Sequence, residues 1–107
     1  MDDVFFMAKV KSAASLAGMG IEFAGDYDGA MARLASGPTL VVVDLISSKT
    51  DPLRLIETIK KDGGPPIVAF LPHVQTELRQ QAQALGADHV WARSVLAEKL
   101  LAILRTL

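Results

Sequence analysis

Short apolar runs alternate along this chain with segments of helical period, and each change is punctuated by Gly, Pro or Asp. That rhythm constrains the fold more than any other feature, because it is the pattern of an α/β domain whose parallel strands are covered on both faces. It places strands at Ile21 to Ala24, Leu40 to Val43, Ile67 to Phe70 and His89 to Ala92. A length of 107 residues allows one domain with a single core, spanning residues 1–107. Half the residues are hydrophobic and 21% are charged, a balance that a globular chain carries and a disordered one does not.

The helices between these strands carry their own start and stop signals. In "TDPLRLIETIKKDGG", Asp51 is placed to cap, Pro52 fits the first turn, Lys60 and Lys61 suit the last, and Gly63 can end the helix. Leu53, Ile56 and Ile59 would face the core. In "QTELRQQAQALG" the stripe is Leu78, Ala82 and Leu85, closed by Gly86. The segment "SVLAEKLLAILRTL" has a cap candidate in Ser94 and a broad stripe of Leu96, Leu100, Ile103, Leu104 and Leu107, wide enough to feed a partner surface as well as a core. The opening residues admit two readings. Either "VFFMA" is a strand, or Asp3 caps a helix from Val4 to about Ala17, with Phe6, Val10, Ala13 and Ala17 on one face and Lys11 and Ser15 opposite. The helix is preferred, since the strand leaves almost no room for a connecting loop.

Composition excludes several function classes. Eleven Lys and Arg against twelve Asp and Glu, spread along the chain, give a formal charge of −1 and no basic stripe, so direct binding of nucleic acid is not expected. Without cysteine there are no disulfides, thiolate metal sites or cysteine nucleophiles. No apolar run approaches the roughly 20 residues that span a bilayer, and no signal-peptide pattern appears, so a soluble, cytoplasmic protein is expected. The glycines of "GMGIEFAG" lack the strand-then-helix context of a dinucleotide loop.

The residue that asks for an explanation is Asp44, a carboxylate directly after the apolar run Leu40 to Val43. A charge at the end of a buried strand costs free energy unless hydrogen bonds or a counter-ion offset it. Backbone amides or Arg93 could serve, and pairing with Arg93 is the expected arrangement. Asp2 and Asp3 are accounted for by helix capping and by the helix dipole. His73, after a Pro at a strand end, reads as a loop histidine capping the next helix, and His89 as a surface residue opening the last strand.

The succession "VVVDL", "PPIVAFLPH" and "ALGADHVWARS" resembles the receiver domain of two-component response regulators, over nearly the whole chain. The resemblance implies a flavodoxin-like, three-layer sandwich with a central parallel sheet of order 2-1-3-4-5. Its site lies at the strand C-termini, where open α/β sheets gather their functional groups. By position, the phosphoacceptor falls on Asp44, and Asp2 and Asp3 take the place of the acidic pair that holds magnesium with it. Only Met1 precedes that pair, so the first strand is expected to be missing or truncated.

The remaining positions depart from the family. The hydroxyl that bonds the phosphoryl group is replaced by Leu71, which cannot donate. The signalling aromatic is replaced by Val90, with Trp91 alternating to the other face. The Lys is replaced by Arg93, whose planar fork is not equivalent at a compact site. The resemblance therefore implies a degenerate pseudo-receiver: a non-enzymatic signalling or interaction module needing no cofactor. Its protein partner would meet it on the fourth helix, fifth strand and fifth helix, around Trp91 and Leu96. The rival expectation is a working phosphoacceptor of a phosphorelay, using Asp44 and magnesium. Unpaired sheet edges left by an absent first strand would favour a homodimer.

Overall fold

The computed structural model describes residues 4–20, 22–72 and 76–106, with the side chains of residues 4–7 excepted. The elements follow the order α1 (Val4–Leu16), α2 (Tyr27–Leu34), β1 (Val41–Asp44), a 3₁₀ turn (Ser48–Thr50), α3 (Pro52–Lys61), β2 (Ile67–Leu71), α4 (Thr76–Leu85), β3 (His89–Ala92) and α5 (Arg93–Leu104). The three strands form one parallel sheet in the order β1-β2-β3. In register, Val41 faces Ile67, Asp44 faces Phe70, and Leu71 faces Ala92. They correspond to the third, fourth and fifth strands of the expected order.

Strand alternation divides the apolar residues between two cores, one on each face of the sheet. Val43, Ile67, Ala69, Leu71 and Val90 turn towards α2, α3 and α4, where they meet Leu55, Ile56, Ile59 and Ala82. Val68 turns to the other face and packs with Val10, Ala13 and Ala14 of α1 and with Leu96, Leu100 and Leu104 of α5. This is the three-layer sandwich expected from the sequence. Burying each of these large aliphatic side chains contributes on the order of 1.5–3 kcal/mol before entropy is counted.

The opening segment is helical, as preferred, with Val10 and Ala13 buried and Lys11 and Ser15 exposed. Asp2 and Asp3 lie outside the described residues, so the expected cap and metal ligands do too. Three expectations are corrected. Among the described residues, Glu22 to Ala24 form no strand. In the 2-1-3-4-5 order that strand pairs with the first alone, and no strand precedes Val41 among the described residues, so its backbone has no ladder to join. Asp51 occupies the N-cap position of α3 but makes no side-chain capping bond, because its backbone is left-handed at φ 46°. Ser94 does not cap α5. The helix starts at Arg93 directly off β3, so the cap position falls on Ala92, which has no side-chain acceptor.

The sequence reading has no counterpart for α2, although its signal is present. Tyr27, Ala30, Met31 and Leu34 recur at helical spacing and pack on the core, and Asp26 accepts the Gly29 N–H at 2.7 Å as a true N-cap. Gly63 (φ 69°) ends α3 as expected, its N–H donating to Lys60 O.

Candidate functional site at the carboxyl ends of the strands

β1 ends on Asp44, whose neighbour Val43 is buried while Asp44 itself is exposed. Its Oδ1 accepts the Ile46 N–H at 2.9 Å and its carbonyl accepts the Ser47 N–H at 3.3 Å, an Asx-type turn that leads the chain out of the strand. The carboxylate thus keeps its water and satisfies a loop amide, which removes the desolvation cost raised by the sequence. The expected pairing with Arg93 is not made: among the described residues Asp44 has no ion pair, and Arg93 is engaged elsewhere. The two residues begin from different elements, Asp44 from the end of β1 and Arg93 from the first turn of α5, with β2 between their strands.

Leu71 closes β2 with 1% of its surface exposed, inside the core facing α3 and α4. Val90 is buried in the same core, and Trp91 turns to the opposite face, half-buried, as alternation requires. Leu96, expected on a partner surface with Trp91, is 0% exposed and belongs to the core between α1 and α5. It sits on the inward side of the broad α5 stripe. His73 lies outside the described residues. Among the described residues no group of three His, Asp or Glu side chains could hold a metal ion.

A second feature lies along β3. A groove of about 380 Å³ runs over this strand, walled by Arg79 and Gln83 of α4 and by Val95 and Lys99 of α5. On its floor the His89 and Trp91 rings stand 5.0 Å apart at 31°, two residues apart on one face of the strand. Lys99 Nζ lies 5.6 Å from the Trp91 ring centroid, within cation–π range. At the start of the strand, Lys60 Nζ meets Asp88 Oδ2 at 2.7 Å, and the same oxygen accepts the Ile67 N–H at 2.8 Å. Burial pushes the Asp88 carboxyl up, but the Lys60 ammonium and the Ile67 amide outweigh it and hold the group below its usual range. The sequence reading singled out Trp91 and took His89 as plain surface. Their spacing of two in a strand was the available signal, whereas Arg79 and Lys99 join them only through packing.

No family model matches the sequence, and no curated protein matches it. Solved structures do. The receiver domain of NtrX from Brucella abortus superposes with a TM-score of 0.81 at 26% identity, covering 94% of this chain and 88% of that one. A response regulator from Thermotoga maritima gives 0.78 at 19% identity, covering 98% and 92%. A response regulator protein from Burkholderia pseudomallei, solved with a phosphorylated aspartic acid, a calcium ion and citrate, gives 0.76 at 24% identity, covering 95% and 61%. With two cores about a parallel sheet, Asp44 at a strand C-terminus and these neighbours along its length, the chain is a receiver-like domain with the fold of response-regulator receivers.

Proposed function

We propose that this domain is a receiver-like signalling module that binds a protein partner without needing phosphorylation of Asp44 and without catalysing a reaction. The observation that carries the reading is Leu71. At the strand end where a receiver presents a hydroxyl, this chain has an aliphatic side chain locked in the core, so a phosphoryl group on Asp44 would find no donor there. Val90 in the core likewise offers no aromatic ring to reorient. The partner face is the groove over β3, with Trp91 as its aromatic anchor and Leu96 as the buried support behind it. The outer edge of β1, where the first strand of the expected order would pair, favours a homodimer as a further assembly, and a cytoplasmic location fits such a module. No described helix is long and apolar enough to cross a membrane.

The test is partner capture and self-association of Asp44→Asn beside the parent. Equal binding is expected; weakening of tenfold or more (about 1.4 kcal/mol) would overturn the reading. A second reading is a phosphoacceptor, favoured by the exposure of Asp44 and by the Burkholderia pseudomallei neighbour with its phosphorylated aspartic acid. Asp44 would hold the magnesium ion of such chemistry together with Asp2 and Asp3, which lie outside the described residues.

A further inference from the structure

The groove over β3 combines three properties that together specify a ligand. β3 is the terminal strand of the sheet, so its outer edge has no ladder among the described residues and can accept another extended segment. The walls on either side of that edge are cationic: Arg79 projects from α4 and Lys99 from α5, both exposed, with His89 on the floor. The acidic group at the groove, Asp88, is already neutralised by Lys60 at 2.7 Å and does not cancel them. Between the walls, Trp91 presents an apolar ring to whatever enters.

From these we infer that the β3 edge binds an extended acidic peptide segment as an added strand, its backbone pairing with β3, its carboxylates meeting Arg79 on the α4 face, and its apolar residues covering Trp91 on the α5 face, where Lys99 adds to the positive field. Backbone pairing gives such a complex its orientation, and the flanking cations select the charge of the partner. An added strand lays alternate side chains on the two faces of the sheet, so carboxylates at alternating positions reach Arg79 on the α4 face while the apolar residues between them reach the Trp91 ring on the α5 face. The inference rests on the interaction-module reading and names the chemistry of its partner.

Trp91 is the sole tryptophan, so its fluorescence reports the groove directly. The probe is a capped peptide of alternating Glu and Val, about seven residues long to match an ordinary strand, with a Lys and Val peptide as the control. The expected result is a saturable fluorescence change with the acidic peptide, weakened about tenfold by Arg79→Glu with Lys99→Glu and weakened by added salt. Both substituted residues are exposed, and circular dichroism checks that the fold is kept. No response to the acidic peptide, or an equal response to the basic one, overturns the inference. So does a Trp91 signal that follows dilution of the protein and ignores the peptide, which assigns the edge to a second copy. Repeating the titration with Asp44→Asn separates the two readings. Loss of peptide binding in that variant contradicts the phosphorylation-independent module, whereas absence of binding in every variant removes this partner class alone.

Discussion

At the scale of single residues, polar groups here are placed where a backbone group or a counter-ion meets them. Asp44 keeps its exposure and turns one oxygen to the Ile46 N–H, so its role in the described structure is to shape the loop after β1. Asp88 does more, since one oxygen joins Lys60 of α3 to the Ile67 N–H at the start of β2. Its lowered pKa fixes the sign of a pH effect. A carboxyl held lower in the folded state than in the unfolded chain contributes stability that is present above the unfolded value of about 3.9 and is lost as pH falls through the folded one. Because the ion pair is half-exposed and screened, Asp88→Asn should cost about 1 kcal/mol near neutral pH. Denaturant melts from pH 7 down to about pH 2 should show that margin shrinking below about pH 4; a margin that grew on acidification would contradict the assignment.

At the scale of elements, the stability of the β3 side depends on how α4 hands the chain to the strand. Gly86 ends α4 at φ 119°, and a Cβ built there would lie 2.5 Å from Lys60 Cγ. Gly86→Ala should therefore strain the backbone and push Lys60 from Asp88, lowering stability by roughly 1–3 kcal/mol in chemical unfolding; an unchanged midpoint would show that the turn relaxes freely. Much of this layer was legible in the sequence. His89 to Ala92, Ile67 to Phe70 and the core faces of α3 and α4 follow from period and punctuation, because burial on both sides demands apolar side chains whatever the surroundings. What escaped depended on neighbours. Glu22 to Ala24, within the strand expected at Ile21 to Ala24, have no strand to pair with among the described residues, and the cap position expected at Ser94 falls on Ala92, which cannot cap, because α5 begins at the strand end. The groove was half legible: Trp91 stood out, but Arg79 and Lys99 become one site only when α4 and α5 pack beside the same strand.

At the scale of the whole molecule, the fold is receiver-like, and Leu71 and Val90, which the resemblance places at its switch positions, are both buried in the core. The sheet has β1 at one end and β3 at the other, and the apolar run Val41 to Val43 on β1 carries no charge or Pro to discourage pairing. Light scattering at micromolar concentration should therefore find twice the 11.4 kDa chain mass; a single-chain mass at every concentration would remove the homodimer. The central claim, that this scaffold works without phosphorylation, is tested most directly by intact-mass spectrometry after incubation with acetyl phosphate and magnesium, with Asp44→Asn as the control. The account predicts no phosphoryl adduct on the parent beyond that on the variant. An adduct confined to the parent and dependent on magnesium would contradict it and give Asp44 a chemical role.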